Sequence, residues 1–260
     1  MPQSCDADAV PTSLVTGATT GIGLAFARAL AGRGDDLVLV ARDESRLSAL
    51  AGELTDAYAV SVRALSADLA SDDGVARVAA ALTDTEAPVD LLVNNAGFGL
   101  AAAFVESPAA DEVRALNVMV RAPMLLCHAA LPGMLTRGRG TIVNVSSVAG
   151  FLPRGTYGAH KAWLTGFSGW LDLTHRAQGV RVLALCPGFV RTEFHRRMNV
   201  DMTGIPGWMW LDADRVVATA LADLDRGVRV SIPSRRYQVL ARLARVAPLR
   251  LAERAGRAGR

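Results

Sequence analysis

Three glycines between a short apolar run and an alanine-rich segment constrain the fold of this chain more than any other feature. The run at residues 14–16 stops at Gly17, which opens the pattern G-x-x-x-G-x-G that ends at Gly23. This order predicts a strand, a tight loop and a helix that reaches about Leu30. Such a loop lets backbone N–H groups and the helix N-terminus face a pyrophosphate. A glycine turn before a helix is also common without a ligand, so this motif alone leaves both interpretations open.

The rest of the chain continues the alternation of short apolar runs and helical segments. Further strands are predicted near residues 37–40, 60–65, 89–93, 140–145, 180–185 and 228–232. Strands that alternate with helices indicate an α/β fold with a parallel sheet. Because a chain of 260 residues fits one large α/β domain, we predict a single domain over residues 1–233.

Composition restricts the class of protein further. With 51% hydrophobic and 20% charged residues, the chain can bury a full core. No apolar run reaches the roughly 18 residues that span a bilayer, and the first six residues lack the features of a signal peptide. Three cysteines without CxxC spacing and four scattered histidines predict neither a disulfide framework nor a metal site. We therefore expect a cytoplasmic protein.

The basic character of the chain lies in a predicted tail, residues 234–260. Its eight arginines against Glu253 give it a charge of +7, so the rest of a chain with net charge +3 carries −4. Its apolar residues recur at helical spacing: Val239, Leu240, Leu243, Val246 and Ala247. A basic amphipathic helix can make a weak contact with an anionic membrane surface, but a helix docked on the domain has the same pattern. We expect no nucleic-acid binding, because no aromatic platforms accompany the arginines.

The only lysine of the chain provides a catalytic hypothesis. Among 28 basic side chains, Lys161 alone is a lysine, and it follows Tyr157 by four residues. Residues at this spacing share one face of a helix, so an ammonium can stabilise a phenolate and lower the phenol pKa from about 10. A catalytic acid/base needs a pKa near the working pH. We therefore predict an acid/base pair, with an ordinary surface pair as the alternative.

The end of the second predicted strand favours one cofactor. Neutral Ala41 and cationic Arg42 stand there. An acid at this point would accept a hydrogen bond from an adenosine ribose 2′-OH, whereas an arginine accommodates a 2′-phosphate. Asp43 and Glu44 could serve the ribose, but both equally suit the start of the next helix. We therefore predict a preference for NADP(H), with NAD(H) as the alternative.

Polar residues follow the fourth and fifth predicted strands. The fourth strand ends in Asn94-Asn95-Ala96-Gly97, where side-chain amides can brace backbone and small residues leave room for a ligand. The fifth delivers Ser146 and Ser147 to the carboxyl edge of the sheet, where ligands bind in open α/β folds. Asn117 lies inside a predicted long helix that starts at Ser107-Pro108, and asparagine is a poor helix former. A functional role and a local kink both explain it.

Together these residues resemble the short-chain dehydrogenase/reductase family in its short single-domain form. The ordered motifs run from about Thr12 to Ile232: Thr16 with the glycine loop, Asp68-Leu69, Asn94-Asn95-Ala96-Gly97, Asn117, Ser147, Tyr157-x-x-x-Lys161, and Pro187-Gly188 followed by Thr192. The resemblance implies a doubly wound, Rossmann-type parallel sheet of seven strands, order 3-2-1-4-5-6-7, with helices on both faces. It also implies a homodimer or homotetramer, commonly through the helices that carry Asn117 and Tyr157.

The resemblance further implies a role for individual side chains. Tyr157 would be the acid/base, Ser147 would polarise the substrate oxygen, and Lys161 would lower the tyrosine pKa and hold the nicotinamide ribose. Asn117 would anchor a proton-relay water. The implied cofactor-binding residues are Gly17, Thr19, Thr20, Gly21, Ile22, Gly23, Arg42, Asp68, Leu69, Asn95, Ala96, Gly97, Tyr157, Lys161, Pro187, Gly188, Val190 and Thr192. Among these, Asp68 would contact adenine, Asn95 the ribose side, and Thr192 the carboxamide.

The predicted function is an NADP(H)-dependent oxidoreductase that interconverts a carbonyl and an alcohol on an apolar small molecule by direct hydride transfer. Residues 190–211, rich in Met and Trp, suggest an apolar lid or a subunit interface. The segment between Ser147 and Tyr157 is shorter than is usual in the family, so Ser146 remains an alternative to Ser147. A redox-inactive NADP(H)-binding sensor is the rival function, and a dehydratase or epimerase on the same fold is another.

Overall fold

The computed structural model describes residues 10–100, 102–153, 155–194 and 204–246. Within them, parallel strands form a 7-stranded sheet in the order β3-β2-β1-β4-β5-β6-β7, which confirms the predicted topology. The strands are β1 (Thr12–Thr16), β2 (Asp36–Ala41), β3 (Val62–Ser66), β4 (Leu91–Asn94), β5 (Gly140–Val145), β6 (Val180–Leu185) and β7 (Val230–Ser231). The last strand is shorter than the run at residues 228–232 suggests.

Helices cover both faces of this sheet. They are α1 (Gly21–Ala31), α2 (Glu44–Tyr58), α3 (Asp72–Thr83), α4 (Ala109–Leu116), α5 (Ala122–Thr136), α6 (Gly155–His175), α7 (Ala213–Asp225) and α8 (Arg235–Val246). Successive strand residues point to opposite faces, which divides the core in two. Val15 and Leu39 pack in one cluster with α1, α2 and α7, whereas Leu14 and Val38 pack in the other with α3, α5 and α6.

The predicted long helix around Asn117 is interrupted. Helix α4 ends at Leu116, a π-helical turn spans Asn117–Arg121, and α5 continues from Ala122. The side-chain amide of Asn117 donates to the Ala70 carbonyl oxygen over 3.3 Å. The irregular turn therefore coincides with a contact between this helix and the loop after β3.

The combined helical stretch Ala109–Thr136 is long and apolar enough to cross a bilayer by length and composition. Of its most apolar window, 44% is buried within the fold. Core helices of folded domains commonly meet the same criteria, and α5 packs here against α3 and the sheet.

The first part of the predicted tail forms α8, which packs against the domain. Tyr237 and Ala241 are each only 4% exposed, whereas Val239 and Leu243 on the outer side are more than half exposed. The predicted boundary between domain and tail, at residues 233 and 234, stays a prediction. Residues 247–260 lie outside the described part of the chain.

Candidate active site

The glycine loop after β1 has the backbone shape that close approach to a ligand requires. Gly17 and Gly21 have φ values of +65° and +57°, in the left-handed region that favours glycine. A Cβ at Gly23 would lie 2.2 Å from the Gly17 carbonyl oxygen. Thr20, the residue before α1, makes no side-chain cap, so it leaves the first N–H groups of the helix available. These residues fit a pyrophosphate group at the helix N-terminus.

Asn95 and Thr16 hold this loop in place. The Asn95 side-chain amide donates to the carbonyl oxygens of Thr16 and Gly17, over 2.9 and 3.2 Å. The Thr16 hydroxyl oxygen accepts from the backbone N–H groups of Asn95 and Ala96. Asn94 is buried and bonds to Asn144 on β5 instead. The amides at this strand end therefore brace backbone, as their residue types predict.

The acid at the end of β2 is used to start a helix. Asp43 is the N-cap of α2, and its carboxylate accepts from the backbone N–H of Arg46 over 3.0 Å. Arg42 beside it is exposed. One oxygen of the Asp43 carboxylate is therefore used to cap α2.

Asp68 at the end of β3 is held by a residue that the motifs did not reveal. Its carboxylate accepts from the Arg114 guanidinium over 2.8 Å and from the Ala70 N–H over 3.1 Å. Burial alone would raise the pKa of Asp68, but the Ala70 hydrogen bond and the Arg114 charge outweigh burial and lower the pKa. Arg114 lies on α4 three residues before Asn117, so one helix supplies both contacts to this loop.

The two serines after β5 have different surroundings. Ser146 is 2% exposed, and its hydroxyl donates to the Lys161 carbonyl oxygen over 2.7 Å. Ser147 accepts from the Ala149 N–H over 3.1 Å and is hydrogen-bonded to Tyr157. Ser147 is therefore the serine that lies beside the predicted acid/base.

Lys161 lies in the interior, with 4% of its surface exposed. Its ammonium donates to the Val145 carbonyl oxygen over 2.8 Å and lies 5.6 Å from the centre of the Tyr157 ring. A Cβ at Gly97 would come within 3.6 Å of the ammonium nitrogen, so the small residue leaves space there. Burial disfavours the charged form and lowers the pKa of Lys161 to about 8.

The pKa of the Tyr157 hydroxyl differs from the one that the sequence led us to expect. We expected the neighbouring ammonium to lower its pKa, but burial raises the pKa of Tyr157 to about 12, against a smaller lowering by Ser147. The reason is that the phenol is desolvated, while the ammonium donates to the Val145 carbonyl oxygen. Tyr157 is therefore a protonated phenol at neutral pH, which suits a proton donor.

The segment after β6 borders both the glycine loop and Tyr157. Thr192 packs against Gly21, where a Cβ would lie 3.0 Å from its side chain, and both residues line an open cavity of about 870 Å³ with Thr19 and Thr20. The Phe194 ring lies 5.9 Å from the Tyr157 ring, a contact that sequence reasoning missed. Residues 195–203 of the predicted lid lie outside the described residues.

Two of the predicted cofactor residues have side chains that are buried in the core. Leu69 and Val190 are 6% and 4% exposed, and both side chains belong to the hydrophobic core. The Pro187 carbonyl oxygen accepts from the Val148 N–H over 3.0 Å, which joins this loop to the 3₁₀ turn Val148–Phe151 after Ser147. Ile22 packs in the first turn of α1.

A glycine loop, a Ser–Tyr–Lys group and this strand order define a dinucleotide-binding α/β fold. Residues 11–203 match the family described as short chain dehydrogenase. The chain therefore belongs to the short-chain dehydrogenase/reductase family.

Individual relatives agree with this assignment. A very-long-chain 3-oxoacyl-CoA reductase of Anas platyrhynchos is 34% identical over 192 residues, which are 71% of this chain and 61% of that protein. This chain thus spans less than two thirds of that relative's length. A short-chain dehydrogenase from Sphingobium yanoikuyae, solved in complex with NADPH, is 38% identical with a TM-score of 0.83, covering 89% of this chain and 92% of that one. A bulky-bulky ketone specific alcohol dehydrogenase from Comamonas testosteroni is 33% identical with a TM-score of 0.79, covering 90% and 91%.

We expect the Lys161 ammonium to titrate near pH 8 in the native protein, because burial disfavours its charged form. Incorporation of ¹³C-labelled lysine gives a single side-chain Cε signal, since Lys161 is the only lysine. The NMR shift of this signal is followed against pH in buffer and in urea. In urea the midpoint should return towards 10.5, the value of a solvated lysine. The same midpoint in both solvents would contradict the burial of the ammonium.

Proposed function

We propose that this protein is an NADP(H)-dependent oxidoreductase that interconverts a carbonyl and an alcohol on an apolar small molecule. The observation that carries the proposal is the grouping of Ser147 and Tyr157 with the buried Lys161 at the carboxyl edge of the sheet. A protein that only senses the nucleotide needs the loop but has no use for a phenol held between a serine hydroxyl and a buried ammonium.

When bound, NADPH would supply the hydride for reduction of the carbonyl carbon. The Ser147 and Tyr157 hydroxyls both hydrogen-bond the carbonyl oxygen, which polarises the carbon before attack. As negative charge develops on that oxygen, the Tyr157 hydroxyl transfers its proton to it and becomes a phenolate. Since burial raises the pKa of Tyr157 to about 12, the phenol carries this proton at neutral pH.

Lys161 acts on the phenolate that remains. Its ammonium lies 5.6 Å from the ring centre, and attraction between opposite charges is strong in a desolvated site. Because the pKa of Lys161 is about 8, the side chain is charged in most molecules at neutral pH. The same ammonium would hold the nicotinamide ribose. Asn117 contributes by fixing α4 to the loop after β3, and its role in a proton relay stays a prediction.

Two observations support NADP(H) over NAD(H). Arg42 is exposed at the end of β2, and the Asp43 carboxylate that could favour a ribose hydroxyl caps α2 instead. The relative from Sphingobium yanoikuyae binds NADPH. The glycine loop and the N-terminus of α1 would hold the pyrophosphate, and Asp68 the adenine side.

An apolar substrate is proposed from the surroundings of Tyr157. Phe98 and Leu100 pack with Tyr157 against α4 and the π-turn, and the Phe194 ring lies 5.9 Å from the Tyr157 ring. The Phe189 and Trp210 rings, 5.8 Å apart, lie on the neighbouring loops. The relative from Comamonas testosteroni is a bulky-bulky ketone specific alcohol dehydrogenase. These rings would form the wall of a pocket for an apolar carbonyl compound.

Replacement of Tyr157 by Phe should lower turnover about a hundredfold or more, because it removes the proton donor and keeps the ring. NADPH affinity, measured by nicotinamide fluorescence, should stay within about twofold of wild type. Turnover is measured with a panel of apolar ketones and aldehydes at the nicotinamide absorbance. Tyr58→Phe, on the exposed end of α2, is the control. Equal turnover of both variants would exclude Tyr157 as the acid. If the wild-type protein binds NADPH but turns over no substrate, the redox-inactive NADP(H)-binding sensor is favoured instead.

Replacement of Arg42 by Ala should weaken NADPH binding about tenfold, because it removes a charged partner of the 2′-phosphate. NADH binding should change by less than about twofold, since NADH lacks that phosphate. Fluorescence titration gives both constants. Arg139→Ala, next to the opposite edge of the sheet and paired with Asp90, makes the same change in net charge. A parallel loss for NADPH and NADH would show that Arg42 does not read the phosphate.

We propose that a second copy of this chain covers the outer side of α4, α5 and α6. Large apolar side chains are exposed there: Val113, Leu116, Met124, Trp170 and Leu173. A dimer or tetramer would bury them, as the family resemblance implies. Trp170→Glu should lower the mass found by light scattering, whereas Phe104→Glu, in a loop and 67% exposed, should not. Equal masses for both variants and wild type would exclude this surface.

The cytoplasmic location and a weak membrane contact of the tail stay predictions.

A further inference from the structure

One tyrosine of the C-terminal helix joins two loops that border the cleft. The Tyr237 hydroxyl accepts a hydrogen bond from the Phe189 N–H over 3.1 Å and donates one to the Met209 carbonyl oxygen over 2.9 Å. Tyr237 itself is only 4% exposed. Phe189 belongs to the loop at residues 187–192, here called the cofactor loop. Met209 belongs to residues 204–211, here called the lid segment.

The Tyr237 ring also packs directly on the cofactor loop. A Cβ at Gly188 would lie 2.0 Å from the ring carbon that carries the hydroxyl. Any larger residue at position 188 would therefore displace the ring. Gly188 does not have a positive φ, so the constraint comes from this contact and not from the backbone conformation.

Further contacts tie the same parts together. The Arg236 guanidinium donates to the Trp208 carbonyl oxygen and lies 5.8 Å from its ring centre. At the end of the lid segment, the Leu211 N–H donates to the Phe189 carbonyl oxygen over 2.7 Å. The Leu211 carbonyl oxygen in turn accepts from the Arg191 N–H over 2.9 Å. The lid segment is therefore held between the cofactor loop and α8.

The cofactor loop leads directly to groups in the site. Thr192, at its end, packs against Gly21 of the glycine loop. Phe194, two residues later, lies against Tyr157 and donates its N–H to the Thr192 hydroxyl over 3.2 Å. A change in the separation of Phe189 and Met209 would reach the substrate side of the cleft, while the glycine loop keeps its own bracing by Asn95.

We propose that Tyr237 is a positioning residue, which sets the separation of the cofactor loop and the lid segment through its two hydrogen bonds. In this way the C-terminal helix determines the shape of the substrate pocket without contact with substrate. The effect on substrate rests on the proposed function, whereas the effect on the lid segment does not.

Tyr237→Phe tests this proposal, because it keeps the ring over Gly188 and removes both hydrogen bonds. Hydrogen exchange of the full chain, read by mass spectrometry, should be about tenfold faster in the lid segment and unchanged in β1 and α1. The KM for an apolar ketone should rise about fivefold, with kcat and NADPH affinity within about twofold of wild type. Tyr58→Phe is the control for the loss of a tyrosine hydroxyl.

The outcomes separate positioning from a general structural role. Unchanged exchange in the lid segment would overturn the proposal. Faster exchange over the whole chain, with KM and kcat altered together, would also overturn it, because Tyr237 would then only stabilise the fold. If wild type turns over no substrate, the proposed function fails, but the exchange experiment still decides whether Tyr237 holds the lid segment. Gly188→Ala, which displaces the ring, should reproduce the fast exchange of the lid segment.

Discussion

The site depends on a double attachment of Lys161 to the end of β5. The Lys161 carbonyl oxygen accepts from the Ser146 hydroxyl, and its ammonium donates to the Val145 carbonyl oxygen. The last residue of the strand and the residue after it therefore hold the same lysine. Together these bonds fix α6 against the sheet. Tyr157, one turn earlier on that helix, is then placed beside Ser147 without a direct bond to the lysine. The burial of this ammonium costs free energy, at the position where the proposed reaction needs a charge to stabilise a phenolate.

Much of the fold could be predicted because five of the strands, β1, β2, β4, β5 and β6, are short, mostly apolar and largely buried. The glycine pattern likewise placed the first loop, since Gly23 cannot carry a side chain so near Gly17. The sequence left open whether Asn117 has a functional role or marks a kink in the helix. The π-helical turn found there coincides with a hydrogen bond to Ala70, which is far away in the chain. Arg114 carried no signal of its own for the same reason. The direction of the Tyr157 pKa was wrong, because the sequence reveals neighbours at helical spacing but not the loss of solvent around them.

The start of α2 shows how a local helix signal changes the chemistry of a ligand site. Asp43 stands close to where an acid would read a ribose hydroxyl, yet its carboxylate binds the Arg46 N–H. Sequence alone left both uses open, since an acid suits either. The structure shows the capping use, and the Arg42 side chain beside it is exposed. A single hydrogen bond at a helix terminus can thus bear on the choice between two cofactors.

The burial of Lys161 has a consequence for the surface of the protein. Since it is the only lysine of the chain and is 4% exposed, the folded domain presents no accessible ε-amine. Apart from Lys161, its basic side chains counted as cations are the guanidinium groups of arginine. Reagents and modifying enzymes that attach groups to lysine side chains therefore find an acceptor only when α6 leaves the sheet. Covalent labelling of that one amine would record each opening of the core.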